Sequence, residues 1–86
     1  MEVKYTKEAL KSLKKYDATT RGYIREKIGG LTESPPAGDI KPLSGREGQF
    51  RLRTGKYRII YEHIVQEGEK KLMVNKIDSR GGIYKE

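Results

Sequence analysis

Apolar residues change their spacing halfway along the chain, and the change predicts two kinds of structure. Val3 and Tyr5 alternate with charged neighbours over Glu2 to Tyr5, the pattern of a short strand. Thr6 follows as a suitable helix N-cap. Behind it Ala9, Leu10, Leu13 and Tyr16 recur at helical spacing, opposite Lys7, Lys11, Lys14 and Lys15. A second helix, capped by Asp17 or Thr19, carries Ile24, Ile28 and Leu31 on one stripe with Tyr23 beside it, and Gly29-Gly30 weakens its last turn. Ser34-Pro35-Pro36-Ala37-Gly38 then ends the helical half.

Beyond that segment the period falls to two. Phe50 and Leu52 alternate with Gln49, Arg51 and Arg53; after the short turn Thr54-Gly55-Lys56, Tyr57, Ile59 and Tyr61 alternate with Arg58, Ile60 and Glu62. Gln66-Glu67-Gly68-Glu69 is a second turn, and Leu72 to Ile77 a further strand. Short connections favour antiparallel pairing. The expected fold is α+β: an N-terminal strand, a two-helix hairpin, then a three-stranded antiparallel meander, with the helices packed on one face of a single small sheet. Residues 1–86 are expected to form one domain.

Composition narrows what such a fold can do. With 86 residues and 34% apolar content, the core is modest, and chemistry is expected on an open face or in a shallow groove rather than in a deep pocket. The absence of cysteine excludes disulfides, thiolate metal sites and cysteine nucleophiles, and a single histidine, His63, rules out the usual zinc clusters. No metal and no small-molecule cofactor are expected. With no secretory signal and no apolar run near the ~20 residues of a membrane span, the expected location is cytoplasmic. The net charge of +7 is uneven: residues 1–40 hold 8 Lys/Arg against 6 Asp/Glu, residues 41–86 hold 11 against 6. Such an excess suits a polyanion, or equally an acidic protein partner.

Arginine on the strands is the feature with chemical content. Arg51 and Arg53 share one face by alternation, and closure of the Thr54-Gly55-Lys56 turn sets Arg53 beside Arg58. Adjacent cations repel on a bare sheet, and an anionic ligand relieves the repulsion. The guanidinium fork suits phosphate oxygens. Pairing with Glu62, Glu47 or Asp78 on a solvated face is the plainer alternative. At the end of the chain stands Arg80-Gly81-Gly82-Ile83-Tyr84, where two glycines permit a bend that brings the tyrosine over the arginines; a frayed terminus is the alternative. His63, at the far end of its strand, is read as a surface residue.

Leu43-Ser44-Gly45, then Phe50-Arg51-Leu52-Arg53, then Gly55-Lys56-Tyr57-Arg58-Ile59-Ile60-Tyr61, then Arg80-Gly81-Gly82-Ile83-Tyr84 together resemble the RelE/ParE toxin superfamily over nearly the whole chain. Tyr57-Arg58 and Arg80 with Tyr84 point to its RelE-like branch. That resemblance implies a ribosome-dependent endoribonuclease that cleaves mRNA by 2′-hydroxyl attack without a metal, and that is held inactive by a cognate antitoxin. The implied partners are that antitoxin, the ribosome and mRNA, and no membrane. Carried over by position, Arg51, Arg58, Arg80 and Tyr84 are the expected catalytic residues, with Arg53, Lys56, Arg46 and Lys41 as further RNA contacts. The sequence departs from the family pattern at Gln49, where RelE has a lysine, at Ser79, where many members have histidine, and in ending at Glu86, short of the C-terminal helix of some members. A ParE-like inhibitor of DNA gyrase and a plain nucleic-acid-binding module are the rival readings.

Overall fold

The computed structural model describes residues 1–79. In chain order it runs Glu2–Tyr5 (β1), Lys7–Lys14 (α1), Ala18–Gly30 (α2), Asp39–Pro42 (β2), Gln49–Thr54 (β3), Tyr57–Gln66 (β4) and Glu69–Ser79 (β5). The α+β reading holds, with one correction to its detail. The sheet has one strand more than expected: β2 pairs antiparallel with β3, so the meander has four strands, not three. The N-terminal strand joins the opposite edge, parallel to β5, giving the order β1-β5-β4-β3-β2.

Local chemistry accounts for most boundaries. The Thr6 side chain accepts a hydrogen bond from the Ala9 backbone N–H and so caps α1; Asp17 does the same for α2 through Thr20. That bond also holds the Asp17 carboxyl below its ordinary range. The β3–β4 loop is the two residues Gly55-Lys56, with Gly55 at φ +56°, as a type II′ turn asks of its first position. The β4–β5 loop is Glu67-Gly68, both with positive φ, as in type I′. Pro42 is tolerated because β2 lies at the edge of the sheet.

The helices cover one face. Ala9 and Leu13 of α1, Ile24 and Ile28 of α2, and Leu31 pack with Leu52, Tyr57, Ile59, Tyr61, Leu72, Val74 and Ile77 of the sheet. Leu10, placed in the apolar stripe by its spacing, is instead exposed, and Tyr16 lies just past the end of α1, half-buried against the core. Ile64 is half-buried and Val65 fully exposed, where β4 leaves the helices behind. No helix of the described residues is long and apolar enough to cross a membrane.

The strand pairing contains one irregularity. Ile60 pairs with Lys76 but Tyr61 with Val74, so Asn75 is an extra residue in β5, a β-bulge. The bulge is held from the helix side. The Thr6 hydroxyl donates to the Asn75 carbonyl at 2.9 Å and the Thr6 N–H to the Val74 carbonyl at 3.0 Å.

Candidate nucleic-acid interface

Strand pairing places the charged residues on the face the helices leave open. Cross-strand partners share a face. The register therefore sets Asp39, Arg53, Arg58 and Asp78 in one row across β2, β3, β4 and β5. The next row reads Lys41, Arg51, Ile60 and Lys76, and Gln49 faces Glu62 beyond it. Arg53 and Arg58 are direct partners, the juxtaposition expected from the turn. Two cations opposed in this way destabilise a sheet unless something negative lies nearby.

Some neutralisation is built in. Arg58 donates to Asp78, with Nη2 3.3 Å from Oδ2, and Lys76 lies 3.9 Å from the same oxygen. Arg51 reaches Asp39 at 3.7 Å, a contact absent from the sequence reading. Glu62, considered there as an arginine partner, accepts instead from the Asn75 amide at 3.1 Å. The ion pairs do not satisfy every donor. Arg51 is only 7% exposed, yet its Nη1 has no hydrogen-bond partner among the described residues, and neither has the buried Nε of Arg53. A buried guanidinium donor without an acceptor costs on the order of 1–3 kcal/mol.

A groove of about 470 Å³ runs over this face. Leu43, Ser44 and Arg46 from the β2–β3 connection form one wall, Arg58, Ile60 and Glu62 of β4 the floor, with Gln49, Asn75 and Lys76 beside them and Glu8 at the rim. The connection is itself ordered by backbone bonds from Leu43 to Gln49, Arg46 to Leu43 and Gln49 to Arg46.

Of the residues singled out in the sequence, Arg58 and Arg46 line the groove, and Arg51, Arg53 and Lys41 lie in the adjoining rows of the same face. Lys56 sits apart in the β3–β4 turn, exposed, its ammonium 5.9 Å from the Tyr57 ring. Arg80 and Tyr84 lie outside the described residues. Gln49, Ile60, Glu62, Asn75 and Lys76 also line the groove and were not among the expected site residues. One signal did point to the bulge: apolar positions run Leu72, Val74, Ile77, so the alternation skips a residue where Asn75 is inserted.

His63 needs correction. It lies on the opposite face from Arg58 and is half-buried, packed edge-on against Phe50 and Tyr61, with Nδ1 buried and unbonded among the described residues. Burial lowers its pKa, and Lys70 acts in the same direction.

A sheet clad in helices on one side and lined with arginines on the other defines a small basic protein of α+β architecture. Comparison with known proteins gives the class its family. The sequence profile of the ParE toxin of type II toxin–antitoxin systems matches residues 3–84, and the chain belongs to that family, within the RelE/ParE superfamily. A curated relative from Methanocaldococcus jannaschii, named as the toxin RelE1, is 33% identical and the match covers 96% of this chain and 93% of the relative. Among solved structures, the RelBE2 toxin–antitoxin complex of Mycobacterium tuberculosis superposes with a TM-score of 0.70 at 27% identity, covering 92% of this chain and 96% of the other. The RelB–RelE complex from Methanococcus jannaschii gives 0.69 at 26% identity, covering 94% of each chain.

Proposed function

We propose that this toxin is an endoribonuclease that cleaves ribosome-bound mRNA through attack of a ribose 2′-hydroxyl on the adjacent phosphate. The observation that carries the reading is the opposed pair Arg53 and Arg58 beside Arg51, whose Nη1 has no hydrogen-bond partner among the described residues, on the face that holds the groove. Like charges set together and partly buried are costly, and a phosphodiester offsets that cost. The reaction forms a bond from the 2′-oxygen to phosphorus and breaks the bond to the 5′-oxygen. It requires a base for the 2′-proton, positive charge on the phosphorane and a proton for the leaving oxygen. Arg58 and Arg51 supply the charge. Arg80 and Tyr84 are assigned the leaving group and the 2′-hydroxyl on sequence position alone.

Arginine and tyrosine ordinarily titrate at roughly 12 or above and about 10, poorly matched to proton transfer near neutral pH. Clustered cations lower a neighbouring tyrosine. Most of the acceleration then rests on preorganised charge and on substrate geometry, which a ribosome presenting strained mRNA supplies. A cognate antitoxin is the natural inhibitor. The two solved relatives described above are toxin–antitoxin complexes, and an acidic segment over Arg51, Arg53 and Arg58 would neutralise them.

The family profile carries the name ParE, which favours a second reading, non-enzymatic inhibition of DNA gyrase by the same fold. Expression followed by mapping of mRNA 5′ ends in translating cells separates the two. New ends inside codons support the nuclease; growth arrest with intact mRNA supports the inhibitor. Within the nuclease reading, Tyr84→Phe should slow single-turnover cleavage roughly 100-fold or more if the hydroxyl moves a proton. Equal rates for Tyr84→Phe, Tyr84→Ala and the parent protein would remove Tyr84 from the site.

A further inference from the structure

Arg58, Ile60 and Glu62 follow one another at alternate positions of β4 and so project onto the same open face, on the floor of one groove. The order is a cation, a branched apolar side chain only 8% exposed, and a carboxylate. At about 3.3 Å per residue, Arg58 and Glu62 are about 13 Å apart along the strand. That span is comparable with the reach from a phosphate through its sugar to the far edge of its base. Ile60 offers a surface on which a ring can lie, between the cationic and anionic ends.

A carboxylate on the floor of a phosphate-binding groove repels the backbone it is meant to hold, so Glu62 marks where something other than phosphate must sit. Its geometry is fixed. The Asn75 amide donates to Oε2, and Asn75 is aimed by the bulge that Thr6 anchors from the other side of the sheet. Among the described residues Asn75 is the one hydrogen-bond partner of Glu62, which leaves Oε1 free to accept. Gln49, opposite Glu62 on β3, adds an amide to the same end of the groove.

An ionised carboxylate only accepts hydrogen bonds. Among the four RNA bases, guanine alone presents two adjacent donors on its Watson–Crick edge, a ring N–H and an amino group. Adenine and cytosine set an acceptor beside their amino group, and uracil flanks its ring N–H with two carbonyls. We propose that Glu62, positioned by Asn75, reads a guanine base whose phosphate is held at Arg58, so that this pair sets the base preference of the toxin. The inference rests on the nuclease reading above and deepens it.

The test is single-turnover cleavage on ribosomes programmed with mRNAs that differ at one position of the exposed codon: guanosine, inosine, adenosine, cytidine or uridine. Inosine keeps the ring N–H and lacks the amino group. The parent toxin should cleave the guanosine message about 10-fold faster than the inosine message or more, the scale of one lost bidentate partner. Glu62→Gln, nearly identical in shape, should bring the guanosine-to-inosine ratio close to one, and Asn75→Ala should lower it. Cleavage of all five messages at one rate by the parent toxin, or an unchanged ratio in Glu62→Gln, would overturn the assignment while leaving the nuclease intact. No cleavage of any message would remove the nuclease reading and this inference with it.

Discussion

The two faces of one sheet are written in alternate residues of the same strands, and they obey different rules. Leu52, Ile59, Leu72 and Ile77 point under the helices and are essentially sealed from water. Arg51, Arg53, Arg58 and Glu62 point the other way, and there arginine faces arginine, and Nη1 of Arg51 and Nε of Arg53 are buried without an acceptor among the described residues. Solvent-facing positions of an antiparallel sheet accept almost any mixed polar set. On the proposed reading, a face that keeps opposed cations where neutral residues would cost less is shaped by what it binds. If that reading is right, stability belongs to one face and function to the other, and substitutions on the two should separate.

The largest loss of stability is expected from the sealed face. Ile59→Ala removes a fully buried side chain and should lower the unfolding free energy by about 2–5 kcal/mol, read from urea denaturation. A loss under about 0.5 kcal/mol would mean that the helix-covered face is not the core. Thr6→Ala should cost about 1 kcal/mol, because it removes the α1 cap, and it also releases the bulge carbonyl of Asn75. Its effect should therefore reach the open face as well, as a change in cleavage beyond the change in melting temperature.

On the open face the sign reverses. Arg53→Gln removes one member of the opposed pair and should leave stability unchanged or raise it by about 0.2–1 kcal/mol. The gain should shrink as salt screens the repulsion. A clear loss would show that Arg53 is held by favourable contacts and would weaken the case for a face strained toward a ligand.

The smallest effect concerns His63 on the helix side. Burial keeps the folded imidazole below its ordinary value near 6.5. The folded protein thus prefers the neutral ring more than the unfolded chain does. The stability this confers is fully present above about pH 6.5 and is lost as pH falls from there through the lower folded value. His63→Phe should flatten the dependence of unfolding free energy on pH between about 7 and 5. An unchanged slope would assign the titration to other groups.

How much of this was legible in the sequence follows the same division. Helix caps, the two hairpin turns and the sealed face were readable, because Thr6, Asp17, Gly55 and the alternation from Phe50 to Tyr61 each act through local chemistry. The β2 strand was not. Its four residues hold one half-buried aliphatic, Ile40, between a Pro-Pro-Ala-Gly run and Pro42, and an edge strand this short leaves no period to detect. The candidate site was half legible. Arginines announce themselves by type, and Ile60 and Glu62 share the face of Arg58 by alternation, whereas Asn75 gains its place only from the bulge, at which the spacing of Leu72, Val74 and Ile77 merely hints. The burial of Arg51 was equally hidden, since it depends on neighbours from β2.

The central claim, that the open face acts on RNA and contributes little to the fold, is tested most directly by Arg58→Ala. Cleavage of ribosome-bound mRNA and thermal unfolding would be measured on the same preparations of variant and parent protein. Removing a preorganised charge from the site should slow cleavage on the order of 100–1000-fold. Asp78 keeps Lys76 at 3.9 Å, so loss of its ion pair with Arg58 should cost about 1–3 kcal/mol of stability and leave the protein folded. Cleavage at the parent rate, or a slow variant that is also largely unfolded, would contradict the account.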